Sequence, residues 1–439
     1  MLLNYLPKPL FVVLIVCSIS LISACQQKPS ATADATVYVK KDNGRFELYR
    51  NGKPFLIKGA AGHTNLAKLK AIGGNTIRTY DTLNLKPILD DAAAQGLAVM
   101  VGIPLPESEY SATTYNKPAV AKKQFEDIKK FVNQYKDHPA LLIWCVGNEV
   151  DFSPNIKLLD FYREYNRIVD MIHQDDPNHP VTTAMNNFYP KNLICISLFT
   201  DIDILSTNYF KSLDEMADDL TLVSTIWRGP FIVSEWGIDG PWRAARNAWG
   251  ARIEETSQKK AERYRHVYQF MPVNNSAFLG SLAFYWGSKQ ETTHTWFSMF
   301  DQDGRQSDAV GVMEENWTGR NSQPKAPDLD FMLINKKGAM ENIILKPGVR
   351  AEASLSISSP DSSAFTVWEI YPEDWFFPNN EKNNKKLKAV KDVFVATGYK
   401  TASFKAPATE GPYRIFATVY NKSGSFATCN TPFYVVSNK

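Results

Sequence analysis

Eight short apolar runs recur between Phe55 and Trp286 of this chain, and stretches with a helical period separate most of them. The runs are Phe55 to Gly59, Thr76 to Tyr80, Leu97 to Ile103, Leu141 to Val146, Val181 to Ala184, Ile204 to Asn208, Phe231 to Ser234 and Leu282 to Trp286. Between them, Ile128, Phe131, Val132 and Tyr135 repeat at helical spacing, as do Phe161, Tyr162, Tyr165, Ile168, Val169 and Ile172, and Ala261, Tyr264, Tyr268 and Met271. Runs such as LAVMVGI are apolar at every position, the pattern of strands buried on both faces of a parallel sheet. Eight such strands alternating with helices predict an α/β fold, a (β/α)8 TIM barrel.

Nearly every run stops abruptly in polar or aromatic residues. Arg78, Tyr80 and Asp81 end the second, Asn148 and Glu149 the fourth, Asn186 and Asn187 the fifth, Asn208 and Tyr209 the sixth, Glu235 and Trp236 the seventh, Trp286 the eighth. In such barrels chemistry is assembled at the C-terminal rim, so these residues are expected to converge on one bowl.

Other segments flank the barrel. Residues 1–24 read as a bacterial signal peptide, with the apolar stretch Leu10 to Ile22 too short to span a bilayer. It ends in Leu21-Ile22-Ser23-Ala24-Cys25, which resembles a lipobox, so Cys25 is the expected lipidation site and 25–36 a polar tether. The expected location is the bacterial cell envelope, with the lipid as the only membrane contact. Residues 37–326 form the expected barrel unit, opening with a hairpin marked by Asp42-Asn43-Gly44 and Arg50-Asn51-Gly52. Residues 327–439 show short alternating strands without helical period, an immunoglobulin-like β-sandwich. Its Trp368, Tyr371, Trp375 and Phe376 could form a carbohydrate platform or simply pack the domain. Cys145, Cys195 and Cys429 lack ligand spacing and read as buried thiols; neither metal nor cofactor is expected.

The 49 basic and 46 acidic residues nearly cancel, which removes the electrostatic case for nucleic acid or an anionic membrane surface and favours a neutral partner. Ten Trp, 19 Tyr and 25 Phe suit stacking on flat, uncharged rings.

The pairing of Asn148-Glu149 after the fourth strand with Glu235-Trp236-Gly237 after the seventh resembles the retaining glycoside hydrolases with a (β/α)8 barrel, above all the catalytic domain of glycoside hydrolase family 2. The similarity covers Phe46 to Trp317 and includes RNGKPFLIKGA, GGNTIRTYD, GNE, STNYF, SEWG and FYWGSKQETTHTWFSMF. Retaining cleavage needs two carboxyls about 5 to 5.5 Å apart, one protonating the leaving oxygen and one attacking the anomeric carbon. Glu235 is the expected nucleophile, kept ionised by Arg78 and hydrogen-bonded by Tyr209, contacts that the resemblance also implies. Glu149 is the expected acid/base, its pKa raised by the neighbouring Glu235. Asn148 is assigned to the sugar 2-hydroxyl and Trp286 to the stacking floor. Tyr80, His63, Glu107, Asn187, Trp236, His294 and Trp296 complete the expected rim, with Tyr110 and Trp242 as further walls. Each has a structural alternative: an ion pair for Arg78, core for Tyr209, a plug of the barrel mouth for Trp286.

Family 2 enzymes commonly carry two β-domains before the barrel. Here 36 residues precede it, which points to an open cleft rather than an exo-acting pocket. GGNTIRTYD is also similar to fungal cell-wall β-1,3-glucanosyltransferases. The expected substrate is therefore a neutral β-linked polysaccharide or oligosaccharide, β-glucan above others, hydrolysed or transferred. A surface lipoprotein that binds glycans without chemistry is the alternative from another class.

Overall fold

The computed structural model describes residues 35–437 apart from 107, 212–214, 322–324, 360 and 377–386. Cys25 with its signal segment and the rim candidate Glu107 lie outside the described residues, as do the side chains of Tyr110 and Phe376.

The eight expected strands close into a parallel barrel. They are β4 (Ile57–Ala61), β5 (Thr76–Arg78), β6 (Ala98–Ile103), β7 (Leu141–Asn148), β8 (Val181–Asn186), β9 (Ile204–Asn208), β10 (Phe231–Trp236) and β11 (Phe278–Ala283), with β11 hydrogen-bonded to β4 at the seam. The last strand departs from expectation. The apolar stretch starts at Phe278, and the ladder ends at Ala283 rather than Trp286, so Phe284 is the first residue beyond the strand. Helices α1 (Leu66–Ala71), α2 (Leu85–Ala94), α3 (Ser108–Tyr115), α4 (Pro118–Tyr135), α5 (Leu159–Asp175), α6 (Pro190–Phe199), α7 (Met216–Ile226), α8 (Ser257–Tyr268) and α9 (Asp308–Thr318) surround it. On α5 the apolar set read from the sequence, Phe161 to Ile172, is the buried face. The amphipathic stripe thus docks the helix on the outside of the barrel.

Ahead of the barrel, β1 (Val37–Asp42), β2 (Arg45–Arg50) and β3 (Lys53–Pro54) form an antiparallel sheet. Both connections put Asn and Gly at positive φ, Asn43 and Gly44 at 47° and 82°, Asn51 and Gly52 at 53° and 71°. These are the residues that such two-residue hairpin turns demand. The sheet closes the end of the barrel where strands begin. Val37 N–H donates to Asn178 O, ahead of β8, and Phe46 N–H to Ser276 O, ahead of β11. Arg50 Nη2 donates to Pro139 O, ahead of β7. Val37, Leu48 and Ile57 join the interior cluster of Met100, Leu142, Ile204, Ile232 and Leu282.

Beyond α9 the chain builds two four-stranded sheets. One contains β12 (Leu329–Ile334), β14 (Arg350–Ile357), β17 (Thr401–Lys405) and β16 (Phe394–Thr397). The other contains β13 (Ile344–Leu345), β19 (Phe426–Val435), β18 (Gly411–Tyr420) and β15 (Phe365–Pro372). They enclose Ile334, Leu355, Trp368, Ile370, Phe404, Ile415 and Phe433, the sandwich core. Trp368 and Tyr371 are buried, the packing alternative to a sugar platform. Sandwich and barrel are joined by buried polar bonds. Arg414 donates to Glu373, to Asn430 Oδ1 and to Arg252 O, and Asn430 Nδ2 donates to Glu254, which also pairs with Lys260. Cys145, Cys195 and Cys429 are buried free thiols, as expected.

Candidate active site

Two interruptions of strand register aim the carboxylates. Against β8, the pairing of β7 slips between Cys145 and Asn148. At the slip, Gly147 has φ +81°, and a Cβ there would lie 2.8 Å from Val150 Cγ2. Glycine is therefore required, and the chain emerges with Glu149 itself at φ +52°. For a non-glycine residue that conformation costs on the order of 1–3 kcal/mol and recurs at functional sites. It turns Asn148 and Glu149 out of the ladder into the bowl, where both are exposed. Glu235 follows a second slip, between Val233 and Glu235 against β9, and stays buried.

One hydrogen-bonded network links them. Arg78, 1% exposed at the end of β5, donates from Nη1 to Glu235 Oε1 and Asn208 Oδ1, each at 2.9 Å, and from Nη2 to Asn148 Oδ1 at 2.6 Å. Tyr80 Oη donates to the same Glu235 Oε1 at 2.8 Å. Asn208 is the hub. Its Nδ2 donates to Glu149 Oε1 at 2.9 Å and to Asn148 Oδ1 at 3.0 Å, while its Oδ1 also accepts from Ser234 Oγ. Oε1 of Glu235 is thus engaged by two donors. With Asn148 Oδ1 likewise engaged, its amide nitrogen is the group turned to donate.

The electrostatics correct one expectation. Burial pushes the Glu235 carboxyl up to about 7, outweighing the Arg78 cation; Glu149 pushes the same way, while the Tyr80 hydrogen bond and Lys289 oppose it. Arg78 thus limits the rise rather than holding the group low. Burial, with Glu235 beside it, also raises Tyr80 well above the usual phenol range, which keeps its hydroxyl a donor.

Several expected contacts fall elsewhere, mostly through the alternation of neighbouring side chains. Tyr209, the residue after β9, donates to Asp219 Oδ2 at 2.9 Å rather than to Glu235. Trp236 points out of the barrel onto Tyr264 and Tyr268. Trp286 is fully buried against Phe300 and Trp317, so it offers no stacking floor. Trp296 is buried with its Nε1 donating to Asp239 O. Asn187, at φ +45°, accepts the backbone N–H groups of Phe210 and Lys211 and so ties two rim loops together. His294 stacks on Tyr371 and Phe416 of the sandwich. His63 stays exposed at the end of β4. Trp242 remains 54% exposed with its ring edge against Phe210, consistent with a wall.

The site also holds residues that sequence reasoning missed. Asn208 was visible as a strand end, but nothing in one sequence distinguishes a hub from a turn residue. Phe284, buried just beyond β11, packs edge-on to Tyr80 with ring centres 6.3 Å apart. Lys289 lies 5.6 Å from the Phe284 ring centre and 3.5 Å from Glu291.

Comparison with known proteins bears on the fold. The curated β-glucuronidase of Rattus norvegicus is 25% identical over a match covering 43% of this chain and 32% of that protein. Among solved structures, β-glucuronidase 2 of Bacteroides uniformis superposes with a TM-score of 0.50 at 15% identity, over 92% of this chain and 48% of that one. A β-glucuronidase of Bifidobacterium dentium gives 0.51 at 18% identity, over 65% and 50%. At these identities the structural likeness shows the fold alone. The chain spans about a third of the curated relative and about half of these structures. The stretch 80–242, which carries Tyr80, Asn148, Glu149, Asn208 and Glu235, is the part that matches the family described as glycosyl hydrolases family 2, TIM barrel domain.

Proposed function

We propose that this protein is a retaining glycoside hydrolase acting on a neutral β-linked oligosaccharide or polysaccharide, β-glucan being the favoured case. The observation that carries the reading is the pair Glu149 and Glu235, joined at the C-terminal rim through Asn208 and Arg78. In the first step Glu235 attacks the anomeric carbon while protonated Glu149 gives its proton to the departing oxygen. Asn148 donates to the sugar 2-hydroxyl. In the second step Glu149 removes a proton from water, which displaces Glu235 and leaves the product with its original configuration.

Neutrality of the sugar is supported by the balance of charge around the bowl. Arg78 faces Glu235 at 2.9 Å, Lys211 faces Asp219 at 3.0 Å, Lys289 faces Glu291 at 3.5 Å and Lys191 faces Asp151 at 4.0 Å. A uronate would call for a cation not already matched in this way.

The test is product stereochemistry. Proton NMR on a β-glucan digest should show the β-anomer first, with Glu235→Gln and Glu149→Gln each reducing turnover by at least about a thousandfold. An α-anomer as first product would end the retaining reading. We also propose attachment to the cell envelope through Cys25. Labelled palmitate should enter the wild-type protein and not Cys25→Ala; equal labelling would refute it.

A further inference from the structure

Residues 284–307, between the eighth barrel strand and α9, form a long loop that carries Lys289 and Glu291 and then lies against the sandwich. A loop of this length without helix or strand of its own is functional or loose. Here the sandwich pins it. Gln290 Nε2 donates at 3.0 Å to Oδ2 of Asp374, just beyond β15. The His294 ring lies on Tyr371 of β15 and Phe416 of β18, with ring centres 5.2 and 4.5 Å away. Farther along, Gln306 O accepts the backbone N–H of Phe426 in β19. Between Gln290 and His294 the backbone is forced. Thr292 is buried at φ +62°, a left-handed conformation that a β-branched residue adopts only where its surroundings impose it.

These anchors connect to a cation of the bowl. Ser298 Oγ donates to His294 O at 2.9 Å and accepts the Lys289 N–H at 2.8 Å, so the residue on the sandwich and the lysine share one hydroxyl. Lys289 Nζ lies 5.6 Å from the ring centre of Phe284, which packs edge-on to Tyr80, the donor to Glu235. Glu235 is faced by Arg78, Tyr80, Cys145, Glu149 and Lys289, and Lys289 by Glu291 and the Tyr285 ring. Of the two cations, Arg78 stands on a barrel strand, whereas Lys289 stands on the pinned loop.

Resting on the glycosidase reading above, we propose that the sandwich is part of the active site: Asp374, Tyr371 and Phe416 hold Gln290 and His294 so that Lys289 is kept facing the nucleophile. His294 and Asp374 are positioning residues that act through Lys289. Without either anchor Thr292 leaves its strained conformation, the loop relaxes and the ammonium moves from Glu235 into solvent.

Glycosyl fluorides isolate this effect, because fluoride leaves as an ion and needs no proton from Glu149. The Glu235 carboxylate bonds to the anomeric carbon as the carbon–fluorine bond breaks, so the pH dependence of kcat/KM reports the ionisation of Glu235. Fluoride release by the full chain is screened on the β-fluorides of glucose, galactose and glucuronic acid. The sugar that turns over is then followed at about pH 6 and about pH 8, either side of the titration near 7. Lys289 favours the ionised carboxyl, so its displacement lowers the ratio of kcat/KM at the acid pH to that at the alkaline one. We expect this ratio to fall about threefold in His294→Ala, in Asp374→Ala and in Lys289→Ala alike. His294→Phe keeps the stack and should restore it; Phe cannot titrate, which separates position from the charge of the imidazole itself. In the Lys289→Ala background, His294→Ala should lower the ratio no further. A wild-type ratio in both His294→Ala and Asp374→Ala, no rescue by Phe, or an equal further fall in the double variant would overturn the proposal and leave the glycosidase reading intact. Release of fluoride from none of the three sugars would sink that reading, and the proposal with it.

Discussion

Tyr80 Oη lies 2.8 Å from Glu235 Oε1, so the hydroxyl that steadies the proposed nucleophile comes from just beyond the second barrel strand and shares its acceptor with Arg78. Tyr80→Phe removes the hydrogen bond and keeps the ring against Phe284. We expect kcat/KM to fall about tenfold to a hundredfold, the value of a hydrogen bond to a charged group of about 1.5–3 kcal/mol. Steady-state kinetics on a released chromogenic glycoside measures it. A variant as active as wild type would remove Tyr80 from the machinery.

Acid sensitivity follows from the raised carboxyl. Glu235 must be ionised to attack, and burial places its titration near 7. Activity in kcat/KM should therefore decline as pH falls through about 7. Lys289 favours the ionised form, so Lys289→Ala should move this acid limb to higher pH. A limb that stays put, or moves down, would show that the lysine is too well screened to act.

Asn208 donates to one carboxylate and accepts from the cation that holds the other. Asn208→Ala takes one partner from the buried Arg78 and one from the exposed Glu149. The expected result is a fall in kcat of about a hundredfold with a stability loss of about 1–3 kcal/mol. Kinetics and urea denaturation of the same preparation read the two effects separately. Loss of stability without loss of turnover would confine Asn208 to a structural part.

Where sandwich meets barrel, Arg414 is buried and bonds at once to Glu373, Asn430 and Arg252 O. Truncating one member of a buried pair leaves the other charge unmatched, at about 3–5 kcal/mol. Arg414→Ala should lower the urea midpoint accordingly, whereas Lys346→Ala, at an exposed site on the sandwich, should not. Equal midpoints for the two variants would mean that the junction contributes little.

The barrel, the sandwich and both carboxylates were legible because each rests on a pattern that chemistry imposes on the sequence. Fully apolar runs mark strands buried on both faces, and an abrupt polar stop marks the rim. What was misread turns on parity. Side chains alternate along a strand, so Arg78 and Tyr80 share a direction while Asn208 and Tyr209, or Glu235 and Trp236, do not. Of the two tyrosines after strands, the one two residues beyond Arg78 had the correct phase. Trp286 was misplaced for a different reason, the eighth ladder ending at Ala283. The pocket beside Glu149 had no local signature at all, since its residues come from the ends of two strands, the loops after them and α6. Only the closed barrel brings them together.

The small sheet of β1 to β3 seals the end of the barrel opposite the bowl, and the chain enters the fold there at Val37. Entry and reaction site thus occupy opposite poles. Under the attachment proposed at Cys25, the tether would join the fold at the pole opposite the bowl, so a glycan reaches the mouth without passing the point of entry.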